Sequence, residues 1–227
     1  MANVLITGGT SFVGHWLRVT SPTDTTVHTI GRAKYDEMKW REMKWDAIIH
    51  AALVAPTEVL KCAKTNNCRV LFVSSGVIYH PEFEPKYRQI KMDGEKECLD
   101  SGQDVVIARL FTFSGDRLDD KKAWSTFNKA ARENRPLVIT GDGSTTRSYM
   151  HGSLMAFWLW KLLERGKTRE AYDVGSDTPI TMLELAKNII EDTCSKSEIV
   201  IGGGKDPMPY YLPEDLTKTK KIVYNGE

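Results

Sequence analysis

The stretch "NVLITGGTSFVGHWL", Asn3 to Leu17, opens like a buried strand and closes like a helix, with glycines packed into the turn between them. Val4, Leu5 and Ile6 form the short apolar run of a parallel strand covered on both faces. Thr7-Gly8-Gly9 then breaks the strand, and Phe12 to Arg18 can form a helix. Glycine permits a tight turn and lets backbone approach a pyrophosphate. The N–H groups at the helix start, those of Phe12 and Val13 among them, point partial positive charge at the phosphates. Gly8 and Gly14 hold the outer places of a GxxGxxG spacing, and Ser11 stands in the middle one. Serine is small, and its hydroxyl can bond a phosphate oxygen. The turn therefore predicts a dinucleotide site made of Gly8, Ser11, Phe12, Val13 and Gly14. The competing reading is a tight turn without a ligand.

The next strand, "TVHTIGR", runs from Thr26 to Arg32. In a doubly wound sheet its end lies near the adenosine ribose, where a carboxylate accepts from the 2′-hydroxyl. No Asp or Glu stands there; Arg32 does, and a guanidinium suits a 2′-phosphate, which favours NADP over NAD. A third strand, "DAIIHAA", ends in Ala51 and Ala52, small residues where backbone passes close to a cofactor. His50 on that strand reads as packed and hydrogen-bonded rather than catalytic. The near-repeat "EMKWREMKW" reads as a short amphipathic connection and "IGGGKDPMP", Ile201 to Pro209, as a loop.

The fourth strand, "RVLFVSS", ends in Ser74-Ser75, and twelve residues later "YRQIK" places Tyr87 and Lys91 four apart on one helix face. Hydride transfer between a nicotinamide and an alcohol carbon needs a proton moved at the oxygen. A free phenol, with pKa about 10, is a poor base near neutrality. An ammonium beside it, here Lys91, is expected to lower that value, while Ser75 orients the substrate oxygen. The alternative is an ordinary surface helix starting at Pro85.

Composition narrows the classes further. The 227 residues carry a formal charge of +1, which gives no electrostatic case for nucleic acid or an anionic membrane. No apolar run approaches a membrane span, and the start of the chain lacks the pattern of a signal peptide. Cys62, Cys68, Cys98 and Cys194 show no metal or redox spacing, so reduced structural thiols, a cytoplasmic location and no metal site are expected.

These segments together resemble the extended short-chain dehydrogenase/reductases, the family of nucleotide-sugar epimerases, dehydratases and 4-ketoreductases. "TGGTSFVG" is similar to the family's cofactor turn, "IIHAA" to its third-strand signature, "SSGVIY" to its catalytic-serine strand and "YRQIKMDGE" to its Tyr/Lys helix down to Glu95. The likeness continues through "ARLFTFSG", "GDGSTTRSYMHGSLM" and "AYDVGSDTPITMLELAKNI". The resemblance implies a catalytic Ser75, Tyr87 and Lys91, with Tyr87 and Lys91 also touching the nicotinamide side of the cofactor. It implies substrate contacts at Thr112, where the family has Asn, and at Arg147, whose family counterpart grips a diphosphate. Ser148 and Ser153 replace acidic family residues, and Ser153 can cap the tryptophan-rich helix that follows. That helix is apolar nearly all round, so its tryptophans read as core.

The expected fold is α/β, a doubly wound, Rossmann-like parallel sheet with a small, reduced C-terminal substrate lobe. Residues 1–115 form the dinucleotide core, and 116–227 the lobe, interleaved with the core by a strand near 171–175 that returns to the sheet. The function that follows is hydride transfer at a sugar carbon of a nucleoside-diphosphate sugar, by an epimerase or a 4-ketoreductase. Gly76 and Val77 stand where the family's dehydratases carry acids, which argues against dehydration. The alternative is a non-catalytic nucleotide-binding protein of the same fold. The resemblance also implies a homodimer.

Overall fold

A computed structural model describes residues 2–31, 35, 38–204 and 210–225. The chain divides into two compact units. One comprises Met1–Leu110, Gly152–Val174 and Asp215–Glu227, and the other comprises Phe111–His151 with Gly175–Glu214.

The first unit is built on a six-stranded parallel sheet. Its strands are β1 (Ala2–Thr7), β2 (Thr25–Ile30), β3 (Ala47–His50), β4 (Arg69–Ser75), β5 (Val105–Leu110) and β6 (Ala171–Val174). They lie in the order β6-β5-β4-β3-β1-β2, and every neighbouring pair is parallel. Helices α1 (Phe12–Val19), α2 (Thr57–Asn66), α3 (Pro85–Asp100) and α4 (Gly152–Arg165) flank it. The apolar runs become the central strands because both faces are covered: Leu5, Ile6, Ile48, Ile49, Val70 and Leu71 are fully buried. Each such side chain contributes roughly 1.5–3 kcal/mol on leaving water. The chain is therefore the Rossmann-like α/β fold, with the strand of 171–174 completing the sheet beside β5.

On one face α2 and α3 share a core with Phe72, Ile107, Val59, Leu60 and Cys98. Gly94 lets α3 sit on β4, since a Cβ there would come 2.5 Å from the Phe72 ring. On the other face α1 meets α4, where the Trp160 indole N–H donates to the Leu17 carbonyl at 3.2 Å. Trp158 and Trp160 are buried, as a helix apolar all round requires. That helix begins at Gly152, so Ser153 lies inside its first turn and does not occupy the expected cap position.

Between β2 and β3 the described part of "EMKWREMKW" forms a 3-10 turn, Met38–Arg41, while Glu37 lies outside the described residues. Trp40 and Trp45 anchor the segment, and the Trp45 indole N–H donates to the Trp40 carbonyl at 2.8 Å.

The second unit packs helices Ala123–Arg132 and Met182–Asp192 on strand Leu137–Gly141 through Phe127, Ala131, Ile139, Leu185 and Ile189. Thr181 and Glu184 form a reciprocal cap at the start of the second helix. The glycine-rich segment read as a loop is instead a strand over Ile199–Gly204, parallel to Leu137–Gly141; residues 205–209 lie outside the described residues. The backbone ladder there tolerates glycines through a register shift between Ile201 and Gly204.

Candidate active site

After β1 the chain goes to β2 on one side and then to β3 on the other, so the order reverses between β1 and β3. A ligand crevice forms at the carboxyl ends of strands at such a point. The residues converging there are the glycine turn and Ala51-Ala52. The Ala51 N–H donates to the Thr7 carbonyl at 3.1 Å, which ties the two loops backbone to backbone. Gly8 has φ +76°, and a Cβ on it would lie 2.7 Å from the Ala51 carbonyl carbon and oxygen. Only glycine fits that place. Gly8→Ala is expected to cost on the order of 2–4 kcal/mol and to lower the melting temperature by roughly 5–15 °C. A thermal melt checks this; an unchanged transition would mean that the turn reorganises freely.

Ser11 caps α1, its hydroxyl oxygen accepting from the Gly14 N–H at 3.1 Å. The oxygen spends a lone pair on the helix, and its proton remains able to donate outward. Phe12 and Val13 form the first turn of α1, at the positive end of the helix. Arg32 lies outside the described residues.

Ser75, Tyr87 and Lys91 come together at the end of β4. The Ser75 and Tyr87 hydroxyls share a hydrogen bond, and Ser75 also accepts from the Val77 N–H at 3.3 Å. The Lys91 ammonium donates to the Val73 carbonyl at 2.8 Å, 5.8 Å from the Tyr87 ring centre and 5.5 Å from that of Phe72. Burial pushes the Lys91 amine down to about 8, against the pull of the Glu95 carboxylate.

The phenol departs from expectation. Burial holds Tyr87 above the ordinary phenol value, and the Ser75 hydrogen bond opposes that without reversing it. The lowering expected from the Tyr/Lys spacing is absent: burial prevails at the phenol, and the Lys91 ammonium spends its hydrogen bond on the Val73 carbonyl. His50 is a packed residue, as read: it stacks on Phe72, its Nδ1 pairs with the Thr7 hydroxyl at 2.8 Å and its Nε2 with the Val54 carbonyl at 3.0 Å. Burial lowers it to about 4, so it is neutral at pH 7.

Beside this group lies a polar chain that motif spacing did not reveal. The Arg109 guanidinium donates to both Glu95 carboxylate oxygens, at 3.0 and 2.7 Å, and to the Tyr79 hydroxyl at 2.6 Å. The Tyr79 hydroxyl donates to Asp173 at 3.0 Å. A signal existed in the sequence: an arginine inside the apolar strand "VVIARL" demands a partner, and Glu95 falls one turn after Lys91 on the same helix face.

Thr112 and Arg147 both belong to the second unit. Thr112 opens a short strand, Thr112–Ser114, and pairs with Tyr149. Arg147 lies on Thr146–Arg147, between strands Ile180–Thr181 and Tyr210–Tyr211. Burial pushes the Tyr149 phenol up to about 12, against the pull of Arg147. Ser148 is fully buried, a place where a neutral hydroxyl is cheaper than a carboxylate.

Cys62, Cys68 and Cys98 are buried thiols, whereas Cys194 is exposed. Among the described residues no cluster of three His, Cys, Asp or Glu could hold a metal, and no helix is long and apolar enough to cross a membrane.

The model of the NAD dependent epimerase/dehydratase family matches residues 19–175. UDP-glucuronic acid decarboxylase 4 of Arabidopsis thaliana is 28% identical over 198 residues, covering 77% of this chain and 44% of that protein. The chain thus spans less than half the length of that relative. The dTDP-glucose 4,6-dehydratase of Bacillus anthracis, solved in complex with NAD, superposes with a TM-score of 0.81 at 18% identity, over 98% of this chain and 90% of that one. The structure of RMD from Pseudomonas aeruginosa, complexed with NADPH, gives 0.78 at 19% identity, over 98% and 92%.

Proposed function

Because the chain belongs to the NAD dependent epimerase/dehydratase family, we propose that it transfers hydride at a sugar carbon of a nucleoside-diphosphate sugar, as an epimerase or a 4-ketoreductase. The observation that carries this reading is the Ser75–Tyr87 hydrogen bond with the Lys91 ammonium against the same ring. The Gly8 turn, the Ser11-capped start of α1 and the close Ala51 backbone suit a dinucleotide's phosphates, since they combine close main-chain approach with a positive helix end. A nicotinamide dinucleotide, when bound, supplies the hydride donor and acceptor. Tyr87 moves the proton at the substrate oxygen. Ser75 orients that oxygen and stabilises charge on it. Lys91, cationic at pH 7 and held beside the Tyr87 ring by the Val73 carbonyl, holds the nicotinamide ribose. Thr112 and Arg147 would contact the substrate, Arg147 at its diphosphate.

Thermal-shift screening of nucleoside-diphosphate sugars with and without NADPH tests this. Binding of dinucleotide but of no sugar nucleotide would favour a non-catalytic nucleotide-binding protein. An epimerase should retain dinucleotide through dialysis and a reductase should release it.

Cofactor choice gives a separate expected result. The sequence has Arg32 and no carboxylate just after β2, a composition that suits a 2′-phosphate. A charge-assisted contact contributes ~1.5–3 kcal/mol, roughly tenfold or more in affinity. NADPH should bind at least that much more tightly than NADH, and Arg32→Ala should remove most of the difference. Paired titrations on both proteins measure it; equal affinities in the unmodified protein would exclude the role.

A further inference from the structure

Ser75 is only as well placed as the segment that follows it. It is the cap of a four-residue 3-10 turn, Gly76–Tyr79, that opens with glycine. So short a 3-10 turn has little stability of its own, and glycine at its start adds backbone freedom. Its far end must be fixed from outside.

Three hydrogen bonds do so. The Arg88 Nε donates to the Ile78 carbonyl at 3.0 Å, the Arg109 Nη1 donates to the Tyr79 hydroxyl at 2.6 Å, and that hydroxyl donates to the Asp173 carboxylate at 3.0 Å. The Arg109 guanidinium also lies 5.1 Å from the Tyr79 ring centre. Tyr79 is 49% exposed, so its place is set by its polar end rather than by burial of its ring. Arg109 stands on β5, Asp173 on β6, and Glu95, which grips Arg109 with both oxygens, on α3 one turn beyond Lys91. One side-chain chain thus ties the turn after Ser75 to the helix that carries Tyr87 and Lys91.

We propose that Tyr79 is a positioning residue, whose hydroxyl, held between Arg109 and Asp173, fixes the Gly76–Tyr79 turn and so keeps Ser75 bonded to Tyr87. This rests on the function proposed above, and it names a residue outside the Ser75, Tyr87 and Lys91 group. Burial and the Tyr79 hydroxyl act in opposite senses on the Asp173 carboxyl, with burial prevailing, which agrees with Asp173 facing inward to this contact.

The test is a double-mutant cycle. Tyr79→Phe keeps the ring over Arg109 and removes only the hydroxyl. Its kcat should fall about tenfold with KM for dinucleotide within about twofold; in a Ser75→Ala background the same change should cost less than about twofold. A residue that merely supports the fold would give equal losses in both backgrounds, and that result overturns the proposal. A second measurement needs no substrate: ultraviolet titration of the Tyr87 phenol, assigned by its loss in Tyr87→Phe. The Ser75 bond pulls that phenol down, so Tyr79→Phe should move its titration to higher pH. If the unmodified protein turns over no sugar nucleotide, the proposed function fails while this titration still decides the role of Tyr79. An unmoved titration overturns it in either case.

Discussion

Tyr87→Phe is expected to lower turnover by at least about a thousandfold while leaving dinucleotide affinity within about twofold. The substitution keeps the ring against which the Lys91 ammonium rests and removes only the atom that bonds Ser75. Fold and cofactor contacts should therefore survive; the proton path should not. Losing the bond to Ser75 costs about 0.5–1.5 kcal/mol of stability, too little to unfold a domain of this size. The pH dependence follows from the direction of the phenol's shift. Burial holds it above its ordinary value, so the protonated form dominates at neutrality and is ready to donate to a carbonyl oxygen being reduced. Alcohol oxidation needs the phenolate, so its rate should climb as pH rises above neutrality and fall away toward acid. Paired measurements of kcat and of dinucleotide binding by fluorescence separate the two effects. Turnover within about tenfold of the unmodified protein would mean that another group carries the proton.

Much of the fold was legible because its signals are local. An apolar run followed by glycines and a helix start says strand, turn, helix, and Val4 to Gly14 folds that way. "RVLFVSS" forms β4 over the same seven residues. The nearness of Tyr87 to Lys91 follows from helix geometry, and their approach to Ser75 from its place at a strand end. What spacing cannot convey is the direction in which a side chain reaches. Lys91 turns to the Val73 carbonyl, so the phenol is governed by burial.

Long-range partners are harder still. Tyr79 and Asp173 lie 94 residues apart, and no local pattern joins them before β6 is placed beside β5. Glycines at 202–204 look like a loop when read alone. They form a strand because the exposed edge of Leu137–Gly141 offers a ladder to pair with. The capping role of Ser11 was readable from a serine standing just before a helix start.

Lys91→Met should abolish turnover and at the same time stabilise the fold. Lys91 is 5% exposed and its amine is pushed by burial from 10.5 to about 8, so at pH 7 the folded protein carries a charge it would rather not bury. A shift of that size corresponds to about 3 kcal/mol. Methionine fills similar volume without the charge. It also gives up the donor to the Val73 carbonyl, which offsets about 1–1.5 kcal/mol of the gain. The net is on the order of 1–2 kcal/mol, or roughly 2–8 °C in melting temperature for a chain of this length. The pH dependence has a definite sign. Between about 8 and 10.5 the unfolded lysine binds more protons than the folded one, so the unmodified protein gains stability as pH rises through that window. The advantage of the methionine variant should therefore be full below pH 8 and shrink above it. Melts of both proteins across that range, with turnover assays at neutral pH, check the pair of effects. A variant less stable than the unmodified protein at pH 7 would show that the bond to Val73 outweighs the buried charge. A stable variant with undiminished turnover would remove Lys91 from the chemistry altogether.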